Sequence, residues 1–481
     1  MHPTLTIRRT TASRVRRTAR NRLGRRATRI ATHMATHIAR LIARCSAVAV
    51  RALPVALLAV LLAPPMRAQD AALRARIDAA VATASADLIK IRQQLHVNPE
   101  LGNREFETAR LVAAHLRSLG LEVKTGVAHT GVVGILRGGK SGPVIAVRSD
   151  MDALPVTEAS GYPTMSTRRG TYLGKDVGIS HACGHDIHMA VQLGVATVLA
   201  SVRAQLAGTI MFIFQPAEEG APEGEEGGAQ LMIKEGLFKD LKPQAVFGFH
   251  TEPALPVGQV GYAPGPFFAY SDGFVAIIKG KQSHGAAPHE GVDPIVIASQ
   301  VVLALQTIRS RNVAPLDPSV ITVGIFRGGE RYNIIPEQVE LHGTVRSYTP
   351  AVRALQERRM REVIEGTVAA GGGSYELRYA PGSPAVFNDS ALTARMVPSL
   401  KRTLGAANAR LVPPTMGGED FSYFTLDAPG MFMKLGTTTP GGASGGWHTP
   451  TFLGDDQAVP TGMRAMANLL ADYLTTTRVV P

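Results

Sequence analysis

The 481-residue chain has only two Cys and one Trp, and no Asp or Glu precedes Asp70. Residues 1–68 carry 14 Arg, whereas the remaining residues hold 37 basic and 38 acidic side chains. The formal charge of +13 therefore comes from the first segment, and the rest of the chain is close to neutral. The high overall charge is thus no sign of a nucleic-acid partner for the folded part.

The arginine-rich segment is followed by an apolar run, Leu53–Ala63, and by small residues up to Ala68. This order is typical of a signal peptide that is cleaved near Ala68. A membrane anchor is the alternative, but the apolar run is much shorter than the ~20 residues that span a bilayer. We expect an exported protein, periplasmic or secreted, with no stable membrane partner after cleavage. The start codon, Met1 or Met34, and the export route stay open.

The scarcity of cysteine limits what the thiols can do. Cys45 lies in the predicted leader, so the mature protein would carry Cys183 alone. A single thiol in an oxidising compartment cannot form an internal disulfide. Cys183 is then either buried and inert or bound by a metal ion.

The length of the chain predicts two domains. Helical periodicity alternates with short β-type runs up to about residue 249, which favours an α/β fold with a mainly parallel sheet. Around Gly261–Phe268 the pattern changes, and residues up to about 380 resemble a smaller α+β unit. The predicted division is a leader at 1–68, one domain formed by 69–262 and 383–481, and an inserted domain at 263–382.

Polar residues collect where the predicted strands end, which is where open α/β sheets place their sites. Asp150 and Asp152 follow the strand Val144–Val147, and their spacing of two places both carboxylates on one side of an extended chain. A solvated turn after the strand explains this segment equally well.

The segment His181–His188 contains three His and the one mature Cys within eight residues. Thiolate and imidazole are ligands that zinc and similar transition metals prefer, so Cys183 and His185 are candidate metal ligands. His181 and His188 are more simply explained as groups that support the ligands, and Asp186 as a helix cap.

Two adjacent carboxylates, Glu218 and Glu219, follow the predicted strand Thr209–Phe214. Adjacent side chains diverge, so one can bind a metal while the other takes a proton from water. A charged surface loop is the alternative. His250 after another strand and His448 in a glycine-rich loop would each be structural if taken alone. Together with Cys183, His185 and one Glu they provide enough donors for two ions.

Eight segments in order resemble the aminoacylase/carboxypeptidase branch of the zinc-peptidase superfamily: RSDMDALP, HACGHDIH, QPAEEG, GFH, SHGAAPH, NIIPE, MGGEDF and WHTP. This branch includes hippurate hydrolases, N-acyl-amino-acid amidohydrolases and the plant indole-acetyl-amino-acid hydrolases. The resemblance extends from about Leu88 to Leu470. It implies a metallopeptidase catalytic domain with a mainly parallel sheet, and an inserted α+β domain of ferredoxin-like type that acts as a lid or dimerisation domain.

The resemblance also implies a ligand set. Cys183 would bridge two divalent metal ions, and His185, Glu219, His250 and His448 would complete the ligands. In relatives with a different ligand set, a metal-binding His stands at the position of Asp150, and His185 replaces it here. Zinc is favoured by a thiolate bridge, but manganese, cobalt and nickel fit the same donors.

Further roles follow from the same resemblance. Glu218 would be the general base, and Asp152 would orient a metal ligand from behind. His284 looks like the residue that polarises the scissile carbonyl, in many relatives across a dimer interface, and Asn333 and Arg346 resemble polar groups near the substrate's carboxylate. Gly418 departs from the pattern, because a serine is common there.

The expected function is hydrolysis of N-acyl-L-amino acids of hippurate-like type by metal-activated water. One alternative is an exported metallo-carboxypeptidase or dipeptidase that acts on short peptides. Another is a binding protein that keeps the fold and the metals without turnover; the presence of both Glu218 and Asp152 argues against it, since binding needs neither. A homodimer through the lid domain stays open.

Overall fold

The computed structural model describes residues 66–476, and residues 72–476 belong to one compact unit. The predicted leader lies almost wholly outside the described residues, so its cleavage stays a prediction. The first described helix is α1 (Met66–Val97). Among residues 66–476, no helix is both long and apolar enough to cross a bilayer.

Helices and strands alternate along the first part of the chain. After α1 they are α2 (Phe106–Ser118), β1 (Glu122–Val127), β2 (Gly131–Arg137), β3 (Lys140–Asp150), β4 (Arg169–Tyr172), β5 (Lys175–Gly178), α3 (His185–Ser201), β6 (Ala207–Gln215), α4 (Gly228–Lys234), β7 (Val246–Pro256), β8 (Val260–Tyr262) and β9 (Gly265–Phe268).

The next part contains β10 (Tyr270–Lys279), β11 (Ser283–His284), α5 (Pro294–Thr307), β12 (Ser319–Arg327), β13 (Ile334–Ile335), β14 (Gln338–Ser347), α6 (Pro350–Ala370) and β15 (Ser374–Ala380). The last part contains β16 (Val386–Asn388), α7 (Ser390–Leu404), β17 (Ala409–Leu411), α8 (Ser422–Thr425), β18 (Gly430–Thr438) and α9 (Ala458–Thr476).

An eight-stranded sheet in the order β1-β2-β6-β3-β7-β18-β8-β17 forms the centre of the fold. Its four middle strands, β6, β3, β7 and β18, are parallel, and antiparallel pairings occur towards both edges. These middle strands are nearly continuous apolar runs because side chains cover both faces of the sheet. One face packs against α1, α3 and α9, and the other against a phenylalanine-rich cluster. The predicted α/β class is confirmed.

Strands β10, β12, β14 and β15 form a separate antiparallel sheet in the order β12-β14-β10-β15. With α5 and α6 the chain order is strand, helix, strand, strand, helix, strand, which is the ferredoxin-like arrangement. These elements enclose a hydrophobic core of their own, which includes Phe274, Val301 and Met360. The domain boundaries at 263 and 382 stay a prediction.

Three middle strands bring the polar segments together at one edge of the sheet. Asp150 ends β3 and Gln215 ends β6, and the two residues are directly paired. Strand β7 continues past His250 to Pro256, further than the sequence predicts, but it pairs with β3 only as far as Arg148 and Gly248. His250 therefore lies just beyond the last residue that β3 covers.

Candidate metal centre

Cys183 and His185 lie at the start of α3, in a turn that packs tightly against β7. Gly184 between them has a φ of +82°, a left-handed value that glycine adopts without strain. A Cβ atom at this position would meet Thr251 Cγ2 at 2.7 Å. The glycine therefore allows the thiol and the imidazole to approach the residues of β7 closely.

One nitrogen of His185 is free to bind a cation. Its Nδ1 lies 2.8 Å from the carbonyl oxygen of Asp152, which can only accept, so Nδ1 carries the proton. The other nitrogen, Nε2, is buried and has no hydrogen-bond partner among residues 66–476. An unpartnered buried nitrogen is costly unless a ligand binds it. This atom is the observation that best fits a metal ligand.

His250 is held in the same tautomer. Its Nδ1 donates to the carbonyl oxygen of Thr251 at 2.7 Å, and its Nε2 lies 3.4 Å from Cys183 Sγ. Backbone carbonyls that fix ring orientation in this way are typical of metal-binding histidines.

The neighbouring histidines of the segment differ from these two. His188 Nδ1 pairs with Asp150 Oδ1 at 2.6 Å, and its Nε2 accepts a hydrogen bond from the amide of Thr251 at 2.7 Å. Both nitrogens are occupied, so His188 supports the site from behind. His181 is buried, its pKa is lowered to about 4 by burial, and neither ring nitrogen has a partner among the described residues.

Glu218 and Glu219 follow β6 in a loop that turns them in different directions. Glu219 Oε1 lies 3.1 Å from His448 Nε2, while Glu218 lies close to Glu419 and Asp420. The amide of Glu219 donates to Asp152 Oδ2 at 2.9 Å. Asp152 therefore contacts two of the predicted ligands, His185 and Glu219.

His448 comes from a glycine-rich loop and is half-exposed, with a φ of +61°. Its amide donates to the carbonyl oxygen of Ala182 at 2.9 Å, which ties the loop to the turn that carries Cys183. Next to it, Trp447 packs edge-on against the His250 ring at a centroid distance of 4.8 Å.

The five predicted ligands form two groups with one shared member. Donor atoms of Cys183, His185 and His250 lie within 4.8 Å of one another, and so do those of Cys183, Glu219 and His448. A thiolate shared between a pair of imidazoles and a pair of one imidazole and one carboxylate fits two transition-metal ions. Together the two groups draw on four separate parts of the chain.

Negative charge dominates the surroundings of this centre. Arg148 is fully buried against Asp150, Glu419 and Asp420, and although burial opposes its charge, these carboxylates raise its pKa. Burial would raise the pKa of Asp150, but Arg148, His185 and His188 hold it well below its usual range. One guanidinium cannot neutralise all of these carboxylates, so the site favours further cations.

The same excess of negative charge and the burial of the site shift the pKa values of three groups. Burial raises the pKa of the Cys183 thiol well above its usual value, and Glu219 and Glu218 raise it further. Burial lowers the pKa of His185, but Asp150 and Asp152 outweigh it and raise the pKa to about 10. Burial also raises the pKa of Glu218 well above its usual range, with Glu419 and Glu219 adding to the effect. Divalent cations would stabilise the thiolate and the neutral imidazole that binding needs.

A cavity of about 1110 Å³ opens beside the candidate ligands and is lined by Cys183, Glu218, Glu219, His250 and His448. Arg346, from β14, lines the same cavity. His284 and Asn333 do not line it in the single chain. They adjoin each other at the β11–β13 pair, where the amide of Gly285 donates to the Asn333 carbonyl, and His284 is exposed.

The structure adds residues that the sequence did not single out. Glu419 and Asp420 lie beside Glu218, and burial raises their pKa to about 7 and about 6. Gln215 bridges this group, because it accepts from Arg148 Nε and donates to Asp420. The acidic pair in the MGGEDF segment was the available signal, but its burial depends on distant contacts.

Comparisons with known proteins agree with this geometry. The sequence profile of peptidase family M20/M25/M40 matches residues 146–472. An N-acetyl-L-cysteine deacetylase of Bacillus subtilis (strain 168) is 38% identical over 381 residues, which cover 79% of this chain and 86% of the relative. Thermostable carboxypeptidase 2 of Saccharolobus solfataricus is 37% identical over 389 residues, which cover 80% of this chain and 95% of the relative.

One solved structure is similar over nearly its full length. It is a Bacillus subtilis protein described as a dinuclear metal binding peptidase from the M20 family. The two chains are 33% identical with a TM-score of 0.68, and the match covers 82% of this chain and 99% of the other.

Proposed function

This chain belongs to peptidase family M20/M25/M40, and from that membership we propose that it hydrolyses N-acyl-L-amino acids of hippurate-like type to a carboxylate and a free amino acid. The family makes the protein a metal-dependent hydrolase of amide or peptide bonds. The choice of N-acyl-amino acids is supported by the relative named as an N-acetyl-L-cysteine deacetylase.

The proposal depends on Cys183, which belongs to both groups of candidate ligands. This arrangement supports two divalent ions per subunit, which the group Cys183, His185 and His250 and the group Cys183, Glu219 and His448 would hold. A bridging thiolate favours zinc, and manganese, cobalt and nickel accept the same donors. When bound, the ions would supply Lewis acidity that polarises the scissile carbonyl and acidifies water.

In this proposal the side chain of Glu218 takes the proton from water and transfers it. Glu218 lies beside the ligands without belonging to either of the two groups that share Cys183. Burial and the neighbouring Glu419 raise its pKa, so it readily keeps a proton taken from water and delivers it to the departing amine. Asp152 keeps His185 and Glu219 in place through one hydrogen bond to each.

The second candidate function is that of a metallo-carboxypeptidase or dipeptidase acting on short peptides. The similar thermostable carboxypeptidase favours it, and the cavity of about 1110 Å³ has room for a substrate longer than an acetylated amino acid. Arg346 on the cavity wall would bind the substrate's carboxylate in either case. A binding protein without turnover is the weakest reading, because Glu218 and Asp152 are both present.

The discriminating experiment is a panel of N-acyl-amino acids and dipeptides assayed with the metal-reconstituted protein and its Glu218→Gln variant. We expect hippurate-like substrates to be turned over fastest, and Glu218→Gln to lower kcat by about 10²- to 10⁴-fold while keeping the metals. Faster turnover of dipeptides would support the carboxypeptidase. Full activity of the variant would contradict the proposed base.

His284 and Asn333 lie outside the cavity of their own chain, so we propose that they act in a second copy's active site through a lid-mediated homodimer. Mixing Glu218→Gln with His284→Ala chains tests this arrangement. Each variant alone should be nearly inactive, and random re-association should restore about a quarter of the wild-type rate, because half of the dimers regain one complete site. No recovery in verified mixed dimers would place His284 in its own chain's site.

We also propose that the protein is exported and loses its leader near Ala68. N-terminal sequencing of the protein from the periplasmic fraction or the medium tests this proposal. A mature chain beginning close to Gln69 is expected, and an intact arginine-rich N-terminus in the cytoplasm would contradict it.

A further inference from the structure

A buried carboxylate, Glu105, lies behind the loop that carries Glu218 and Glu219. Its side chain is fully buried, and no Lys, Arg or His forms an ion pair with it in the part of the chain that the structure describes. Burial without a cation, together with the nearby Asp152, raises the pKa of Glu105 to about 8, so its oxygens depend on neutral partners. Two neutral donors contact it, the hydroxyl of Thr130 at 2.6 Å and the amide of Ala217 at 2.9 Å.

From its position in the chain, Glu105 would be expected to cap helix α2. It directly precedes α2, where an acidic side chain commonly caps the helix, yet its side chain makes no capping hydrogen bond. Glu100 does this instead, because its carboxylate accepts from the amides of Glu107 and Thr108 at 3.2 and 2.9 Å. The carboxylate of Glu105 is therefore left to bind Ala217.

Ala217 has a left-handed backbone, with a φ of +49°. This conformation is unfavourable for alanine and persists only where surrounding contacts hold it. The loop is also confined from outside, since a Cβ at Gly102 would meet the Gly220 carbonyl oxygen at 2.7 Å and Ala217 Cβ at 3.1 Å. The strained residue, Ala217, is therefore the one whose amide Glu105 binds.

Two carboxylates hold this loop from opposite sides of Glu218. Glu105 binds the amide of Ala217, and Asp152 binds the amide of Glu219 at 2.9 Å. Glu218 is the residue between the two fixed amides. Its side-chain direction is therefore set by the backbone on both sides.

We propose that Glu105 is a positioning residue for the general base: it holds Ala217 in its left-handed conformation and so aims the Glu218 carboxylate at the reacting water. The inference rests on the proposed role of Glu218. Loss of Glu105 would misdirect the base while Cys183, His185, His250 and His448 still hold the metals. Small displacements of a reacting group have large effects on rate, so kcat should respond more than KM.

The test compares Glu105→Leu, Glu105→Gln and Thr130→Val, with metal content and steady-state kinetics measured for each. Glu105→Gln keeps an acceptor for Ala217 and should retain kcat within about threefold. Glu105→Leu should lose about 10- to 100-fold in kcat, with KM and metal content nearly unchanged. Thr130→Val removes the other partner of Glu105 and leaves the bond to Ala217, so it is the matched control and should stay near wild type.

A double-mutant cycle with Ala217→Gly separates positioning from simple packing. Glycine adopts the left-handed conformation without penalty, so Ala217→Gly should raise kcat of the Glu105→Leu chain by about tenfold. A rescue supports the proposal, and no rescue in a folded double variant overturns it. If Glu105→Leu does not fold, Glu105→Asp takes its place, because its shorter side chain withdraws the acceptor and should lower kcat similarly.

The Glu218→Gln assay distinguishes a failure of the proposed base from a failure of the positioning role of Glu105. Full activity of Glu218→Gln would remove the proposed base and this inference with it. If Glu218→Gln is inactive but Glu105→Leu or Glu105→Asp keeps wild-type kcat, or loses its metals, only the positioning role of Glu105 fails.

Discussion

Asp150 accepts a hydrogen bond from His188 Nδ1 at 2.6 Å, and this pairing removes His188 from the set of available metal ligands. The other ring nitrogen of His188 already accepts from the amide of Thr251. Asp150 is itself neutralised by Arg148 at 2.7 Å. Of two histidines three positions apart on α3, His185 alone therefore offers a free nitrogen to the cluster.

The pairing predicts opposite outcomes for two histidine substitutions. His250→Gln should lower the metal content, because it removes a donor beside Cys183. His188→Gln should keep the metals but lower the free energy of unfolding by about 1–3 kcal/mol, since Asp150 and the Thr251 amide lose a buried partner. Elemental analysis and urea unfolding of both variants check the prediction. Metal loss in His188→Gln at unchanged stability would make it a ligand.

Close packing accounts for the glycine at position 418. A Cβ atom there would meet Ser271 Cβ at 2.7 Å, although the backbone of Gly418 is not left-handed. Gly418→Ser should therefore destabilise the protein by about 1–3 kcal/mol through overpacking, and Ser271→Gly in the same chain should restore most of the loss. Denaturant unfolding of the single and double variants measures both effects.

Gly324 provides the control for this pair, because a Cβ there would meet no atom within 4 Å. Gly324→Ser should leave the free energy of unfolding nearly unchanged or raise it slightly. If Gly418→Ser is as harmless as Gly324→Ser, the close approach of Ser271 is not what requires glycine.

A buried network behind the site predicts a pH dependence of stability. Burial lowers the pKa of His96, but Asp186 at 2.8 Å and Glu158 at 3.1 Å outweigh it and raise the pKa to about 9. The charged imidazole therefore stabilises the folded state below pH 6.5, and this contribution disappears as the pH rises to about 9. The raised pKa of His96 corresponds to about 3 kcal/mol of stability at low pH.

The comparison of wild type with His96→Gln isolates this term. The stability difference between them should be largest near pH 6 and small near pH 9.5. His115→Gln is the contrasting variant, because burial lowers the pKa of His115, so neutral His115 is favoured and its penalty grows as the pH falls. A His96→Gln difference that is constant with pH would contradict the raised pKa.

The single tryptophan makes metal removal visible. Trp447 adjoins His448, packs against the His250 ring and donates to the Thr251 carbonyl oxygen at 3.0 Å. Chelation should therefore change its fluorescence emission, and adding metal should restore it. The emission of Cys183→Ser should respond much less to chelator. Unchanged emission in wild type, despite measured loss of the ions, would place the metals away from Trp447.

Much of the fold could be predicted because its signals are local. The buried strands β3, β6 and β7 are short apolar runs, and α3 and α6 follow helical periodicity. Strand β15 was missed although its exposure alternates along Ser374–Ala380, which is a period-two signal in the sequence. The β4–β5 hairpin was missed for another reason: its turn places Leu173 at a φ of +49°, where leucine is unexpected.

The candidate ligands could also be predicted, because metal-binding residue types cluster at strand ends. Glu105 could not be predicted, because a Glu beside Arg104 is typical of a surface residue. Its contact to Ala217, 112 positions away, becomes visible only in the structure. The same holds for Glu419, whose closeness to Arg148 depends on the packing of the last third of the chain. Residues that hold a site from behind carry little signal of their own.

We propose that Cys183 joins two metal ions in one site, and the metal content of Cys183→Ser decides whether it does. Wild type should contain two divalent ions per chain after reconstitution. Cys183→Ser should fall well below two ions and lose most of its hydrolytic activity, because both groups of ligands lose their shared member. Two ions per chain and full activity in a folded Cys183→Ser protein would show that the ions do not depend on this thiolate.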